Sequence, residues 1–386
     1  GNYYFLEVNK RIQVEHPMAE LFDPLTLRGL TLRNRIGISP MCQYASEDGF
    51  AENWHLVHLG SRAVGGAGLV IAEASGVEAR GRITHGCLGI WKDEHIPMLA
   101  AITEFCREQG AAAGMQIAHA GRKANVNEPW LGDRTLQEGE GPWEAIAPMA
   151  EPFDAPDGDI THTPCAMTQG DITDVIEAFS QAAHRSVKAG FDLVEIHGAH
   201  GYLIHEFLSP FTNQRDDAWG GDFSSRIRFC TEVVRACRKV MPDAMPLLIR
   251  LSCVDWKEGG WTLEDTVALA RLLKVEGVDM IDASSGFNVP DETYPSGPLW
   301  QVPFAQRVRH EAGIASAAVG AIMRPDEANA IITKGEADLA LIATASLHDA
   351  YWPWHAAMAL GREEALQMPV SYDYVLRGGY YEEGDA

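Results

Sequence analysis

The sequence predicts an α/β fold: a single (β/α)8 TIM barrel with long connections after its strands. Three observations carry this expectation. Eight short apolar runs alternate with longer amphipathic stretches, several of those stretches end in glycine, and polar side chains gather where the apolar runs stop. A doubly wound open sheet is the alternative arrangement of the same alternation.

In chain order the predicted strands cover residues 36–39, 69–74, 113–117, 193–197, 247–251, 280–283, 317–319 and 339–342. Helical patterns include residues 95–109, 174–189, 225–240, 263–275, 304–311, 325–333 and 352–360, with Gly110, Gly190, Gly277 and Gly335 just past four of them. Two long connections, 118–167 and 285–302, follow strands and are rich in Pro and Gly. Connections of that length inside a compact domain are commonly functional. Both would fall on the C-terminal face, where a barrel keeps its chemistry. The expected division is an N-terminal extension at 1–20, the barrel at 21–377 and an acidic tail at 378–386.

Composition narrows the partners. The 386 residues are 46% apolar and 22% charged, and 31 basic against 54 acidic residues leave a net charge of -23. That balance argues against nucleic acid and anionic membrane surfaces. The seven cysteines are an odd, scattered set without a C-x-x-C pair, so neither zinc nor an iron–sulfur cluster is expected. A reducing cytoplasm fits them. No apolar run reaches membrane-spanning length, and residues 1–20 have no signal-peptide core.

The most informative run is Leu193-Val-Glu-Ile-His197-Gly-Ala-His200-Gly-Tyr202. An apolar strand ends in two imidazoles and a phenol separated by small residues. Two imidazoles can donate to one oxygen, and a phenol can deliver a proton nearby. A metal pair or satisfied surface histidines is the plainer interpretation. Cys42 and Tyr44 end the first strand, although most unpaired cysteines are simply small buried hydrophobes. Period two puts Gly114, Gln116 and Ala118 on one face of the third strand, and Leu248, Arg250 and Ser252 on one face of the fifth. Gln116 and Arg250 are therefore expected to point inward, the guanidinium pairing with Glu195 while its other donors meet a ligand. Gly320, Ala343 and Thr344 close the last two strands, where barrels usually bind phosphate.

Together these segments resemble the Old Yellow Enzyme family of flavin-dependent ene-reductases, in particular its bacterial branch of xenobiotic-reductase type with a cysteine near the flavin. The likeness runs from about Leu21 to Tyr374. It is carried by Leu-Arg-Asn-Arg-Ile at 32–36, Ser39-Pro-Met-Cys-Gln-Tyr44, Gly-Gly-Ala-Gly-Leu at 65–69, Gln116 with Ala-His-Ala-Gly-Arg-Lys at 118–123, the His197–Leu203 run, and Ser209-Pro210 with Asn213 and Arg215. The resemblance implies non-covalent FMN, NADPH or NADH as electron donor, an enone-type small-molecule substrate, and a homo-oligomer, dimer or tetramer. Ser39, Pro40, Met41, Cys42, Ala74, Gln116, Arg250, Gly320, Ala343 and Thr344 would surround the cofactor. His197 and His200 would bind the substrate carbonyl oxygen, Tyr202 would supply a proton, Cys42 would tune the flavin, and Tyr44 would shape the pocket. Tyr374 or Arg377 would reach into a neighbouring subunit.

The chain departs from the family in two places. The family's Gly-Arg at the end of the eighth strand is Ala343-Thr344 here, which removes a charged phosphate contact. Residues 1–17 resemble a catalytic strand of biotin-dependent carboxylases and are expected to be inert in carboxylation. The rival readings are a relative of dienoyl-CoA reductases or amine dehydrogenases, and a degenerate flavin-binding barrel serving as a scaffold.

Overall fold

The computed structural model describes residues 19–153 and 160–376, so the carboxylase-like segment, Arg377 and the acidic tail lie outside the described residues. Eight parallel strands close into a barrel: β1 (Ile36–Ile38), β2 (Leu69–Gly76), β3 (Ala112–Ala118), β4 (Leu193–Gly198), β5 (Leu247–Ser252), β6 (Met280–Ser284), β7 (Ala315–Ala318) and β8 (Leu339–Ile342). Each pairs with its neighbours in sequence, and β8 pairs with β1. The closed barrel, not the open sheet, is the outcome.

Period two sorts the strand side chains into two shells. Leu69, Ile71, Leu193, Leu248, Met280, Leu339 and Leu341 fill the lower interior, with Leu25, Leu27 and Leu32 from a short antiparallel hairpin (Leu25–Leu27 with Leu30–Leu32) packed beneath them. The alternating partners Val70, Ala72, Met115, Ile117, Val194, Ile196, Ile249, Leu251 and Ile281 face the surrounding helices. These include α1 (Asn53–Val64), α2 (Ile96–Glu108), α3 (Gln169–Lys188), α4 (Leu203–Leu208), α5 (Arg228–Val240) and α6 (Leu263–Val275). They continue with α7 (Val302–Arg307), α8 (Pro325–Thr333), α9 (Thr344–His348), α10 (Trp352–Ala359) and α11 (Val370–Leu376). Higher in the barrel the inward positions become polar: Gln116, Glu195, Arg250 and Asp282 are all buried. An apolar floor beneath a polar layer puts any chemistry at the C-terminal mouth.

Several elements differ from the sequence expectation. Helix α1 escapes the periodicity argument because its inner face buries His55, His58 and Arg62. The 225–240 stretch breaks at Ile227 into Phe223–Arg226 and α5, and the 304–311 stretch is α7 followed by a π turn at Val308–Ala312. β7 starts earlier than expected because its alanines carry little apolar signal. The connection at 118–167 is not featureless: Ile146–Ala147 and Cys165–Ala166 pair within it. Gly110, Gly190, Gly277 and Gly335 all adopt positive φ, as helix ends require. Among the described residues, no helix is long and apolar enough to cross a membrane.

Candidate functional site

The polar layer is organised by strand register. Gln116 lies beside Glu195, and His197, Arg250 and Asp282 lie side by side across β4, β5 and β6. Gln116 Nε2 donates to Glu195 Oε1 at 2.8 Å. Arg250 donates through Nε to Asp282 and through Nη2 to Ser39 Oγ at 2.7 Å. The expected Arg250–Glu195 pair is thus replaced by Arg250–Asp282. The reason is register: Glu195 is level with Leu248, one inward position below Arg250.

Two enclosed carboxylates share this one guanidinium. Burial, and then the charge of Asp282, pushes Glu195 up to about 8, while burial raises Asp282 against the pull of Arg250. Among the described residues, Glu195 Oε2 and Asp282 Oδ1 have no hydrogen-bond partner. The donors and acceptors suit the pyrimidine edge of a flavin. Among the described residues, Gln116 Oε1 and Arg250 Nη1 are engaged by no protein group. Ser39, Pro40 and Met41 adjoin them at the end of β1, and Ala74 sits where the β2–β3 pairing becomes irregular.

Beyond β4 the chain makes a tight turn. His197 is buried, and its Nδ1 accepts the Ala199 N–H at 3.3 Å, leaving the ring proton on Nε2. The His197 and His200 rings meet edge to face with centroids 5.1 Å apart, and Tyr202 lies 5.1 Å from His197. Burial first, then the positive charge of neighbours including Arg250 and Lys123, drives both imidazoles well below the usual histidine range. They are neutral donors at neutral pH. Burial, then Cys42, pushes the Tyr202 phenol well up, so it keeps its proton.

His200 has φ 60, a left-handed conformation uncommon outside glycine, and it is held at its backbone N–H, its carbonyl and its Nε2. Its N–H donates to Ser252 Oγ at 2.9 Å, its carbonyl accepts from Lys123 Nζ at 2.9 Å, and its Nε2 lies 2.7 Å from Ser284 Oγ. Lys123 also donates to the Phe287 carbonyl and lies 5.0 Å above the Tyr202 ring. Burial, then the neighbouring Arg122, lowers this ammonium to about 8. Gly121 enables the turn that delivers Lys123: its φ is 62, and a Cβ there would lie 2.1 Å from Glu206 Oε1.

Cys42 stands at the end of β1. Burial, then Glu73, drives its thiol well above the usual range despite a hydrogen bond with Tyr44, so it is not a thiolate. Tyr44 in turn meets Trp130 of the first long connection edge to face at 6.0 Å. One cavity is lined by Ala74, Ile83, Cys87, Ala118 and Tyr202. On the far side Gly320 has φ 112, and a Cβ there would lie 2.9 Å from Gln301 Nε2. Ala343 is half-buried and Thr344, exposed, opens α9. Tyr374 is 67% exposed on α11, and the described contacts do not join it to the cluster.

Sequence reasoning missed Asp282, Ser284, Lys123 and Gln301. The first two were accessible to it, since Met280, Asp282 and Ser284 share a face by the period-two argument that picked out Arg250. Gln301 gave no local signal: it closes a long connection and accepts from Ser284 and Ser285 at 3.2 and 2.8 Å.

Comparison with known proteins places the chain in a family. Residues 20–363 match the family described as the NADH:flavin oxidoreductase / NADH oxidase family. An NADPH dehydrogenase of Geobacillus sp. (strain WCH70) is 46% identical over 345 residues, covering 88% of this chain and 94% of that protein. An NADPH dehydrogenase of Listeria innocua is 41% identical over 357 residues, covering 92% of this chain and 98% of that protein. Among solved structures, morphinone reductase in complex with tetrahydroNAD aligns with a TM-score of 0.71 and 27% identity, covering 91% of this chain and 93% of that one.

Proposed function

Because the chain belongs to the NADH:flavin oxidoreductase / NADH oxidase family, we propose that it reduces the C=C bond of α,β-unsaturated carbonyl compounds, the 2-enones. It is an oxidoreductase with FMN as cofactor and NAD(P)H as electron donor. The observation that carries the enone reading is the pair of neutral, edge-to-face imidazoles with a protonated phenol beside them.

FMN, when bound, supplies the hydride for the β-carbon of the alkene. Gln116 and Arg250 would hold its pyrimidine edge, Ser39, Pro40, Met41, Cys42 and Ala74 would lie around it, and backbone N–H groups near Gly320, Ala343 and Thr344 would receive its phosphate. His197 and His200 donate to the substrate carbonyl oxygen and stabilise the charge that develops there during the reaction. The Nε2 proton of His197 is available for this. His200 is available through Nδ1 when the single Ser284 hydroxyl proton goes to its Nε2, 2.7 Å away, rather than to Gln301 Oε1 at 3.2 Å. Tyr202 holds the proton for the α-carbon. Neutral imidazoles give directed donors without the desolvation cost of buried cations. Tyr44 closes the substrate side.

Tyr374, exposed on α11, would serve a second copy of the chain, and the free thiols suit a reducing cytoplasm. The scaffold reading rests on Ala343-Thr344 alone and is disfavoured by the assembled polar layer. The test is optical. The purified protein should carry a flavin absorbance band that NAD(P)H bleaches anaerobically and 2-cyclohexenone restores, with saturated ketone as product. A colourless protein that FMN does not reconstitute, or a bleached band that enones never restore, would overturn the proposal.

A further inference from the structure

Of the buried histidines outside the chemistry above, His205 bears directly on the turn that carries His200. His205 on α4 and Asp255, in the connection after β5, are both fully enclosed. His205 Nδ1 accepts the Gly201 N–H at 2.9 Å, so the ring proton sits on Nε2, which donates to Asp255 Oδ1 at 2.9 Å. Asp255 is anchored in turn through Oδ2, which accepts from Ser209 Oγ at 2.6 Å and from the Trp261 N–H at 2.7 Å. Burial works to raise this carboxyl, yet the hydrogen bonds from His205 and Ser209 hold it below its ordinary value. The ring is therefore locked in one tautomer and one orientation.

The group it grips is Gly201, which follows His200 with φ 70 against 60 for His200. Glycine takes this conformation freely, but the left-handed His200 is costly and persists only where its surroundings over-determine it. A Cβ at Gly201 would lie 2.1 Å from the Phe287 carbonyl oxygen, so the turn is pressed between the Phe287 backbone and the His205 ring. His200 immediately precedes Gly201, and Tyr202 immediately follows it.

We propose that His205 is a positioning residue for substrate binding. Through the Gly201 N–H it holds the His200–Gly201 turn in the conformation that presents His200 and Tyr202, and Asp255 fixes its ring for that task. This rests on the reading of His197 and His200 as donors to the substrate oxygen.

Two variants separate the two hydrogen bonds of His205. His205→Asn puts an amide oxygen near the place of Nδ1 and keeps an acceptor for Gly201. His205→Gln puts an amide nitrogen near the place of Nε2 and keeps a donor for Asp255 but no acceptor for Gly201. Both are made in the full-length FMN-loaded protein and titrated with 4-nitrophenol, whose oxyanion probes the substrate-oxygen site. His205→Gln should weaken binding about tenfold, the effect of a lost positioning hydrogen bond, and His205→Asn by no more than about twofold. A merely structural role predicts equal losses in both, and that result, or unchanged affinity in His205→Gln, overturns the proposal. His197→Ala is the control: if it leaves 4-nitrophenol binding unchanged, the substrate-oxygen reading fails and the role of His205 falls with it. A second measurement does not depend on a variant folding. The nitrogen-15 spectrum of the wild-type protein should show His205 unprotonated at Nδ1, and a proton there overturns the proposal.

Discussion

His197 and His200 illustrate how burial selects function at the level of single residues. A charged imidazole pair this close would repel and would need counter-charges, whereas burial first, and then the nearby guanidinium and ammonium groups, keep both rings neutral. If both donate to one oxygen, His197→Ala or His200→Ala should each weaken a phenolic ligand by roughly 1.5–3 kcal/mol, the worth of a hydrogen bond to a charged group. A titration that finds unchanged affinity in both variants removes them from this role. Cys42 makes the complementary case. With its thiol pushed well up it is not a thiolate at neutral pH, yet it directly follows Ser39, Pro40 and Met41, the residues after β1 proposed to surround the cofactor. Cys42→Ala should shift the flavin reduction potential and change the rates of the two half-reactions while turnover persists. Complete loss of turnover with FMN bound would point to covalent chemistry instead.

Among the elements, the β8–α9 junction carries the clearest consequence. Ala343 and Thr344 stand where the family resemblance calls for an arginine, and Thr344 is exposed at the start of a short helix. Backbone N–H groups there and near Gly320 remain for a phosphate, with less charge to meet it. FMN should therefore be lost measurably on extended dialysis. Thr344→Arg should tighten FMN about tenfold by adding a charge-assisted contact, and leave riboflavin, which has no phosphate, nearly unaffected. Stoichiometric FMN after dialysis in wild type, with no gain in the variant, would mean that another group replaces the arginine. The long connections act as elements too: 118–167 brings Trp130 to Tyr44, and 285–302 brings Phe287 against His200 at 5.6 Å.

For the whole molecule, the buried polar layer sets a pH dependence of stability. Glu195 and Glu206 are both pushed up by burial, from an ordinary value near 4.5 to about 8. Across that interval the folded chain holds protons that the unfolded chain has released. Stability therefore falls as pH rises from about 4.5 through 8, and the full contribution is present only below 4.5. Glu195→Gln, which needs no proton to stay neutral, should flatten the decline and raise the thermal midpoint at pH 8 to 9 relative to wild type. Shifts of this size correspond to a free-energy effect on the order of a few kcal/mol. A wild-type midpoint that does not fall over this range, or an identical decline in the variant, would show that Glu195 is ionised in the folded protein.

By itself the sequence determined the barrel, the inward aim of Gln116 and Arg250, and the meeting of His197, His200 and Tyr202. These are matters of local period: alternation along a strand fixes which side chains face inward, and a short turn keeps its neighbours together. The tertiary structure alone decided who partners whom. Arg250 pairs with Asp282 rather than Glu195 because strand register sets which inward residues are level, and register is a property of two strands. Lys123, Ser284 and His205 converge on His200 and Gly201 from the connection after β3, from β6 and from α4. Such a clamp leaves no trace in any one segment, since each member looks locally like an ordinary buried polar residue until closure of the barrel brings them together.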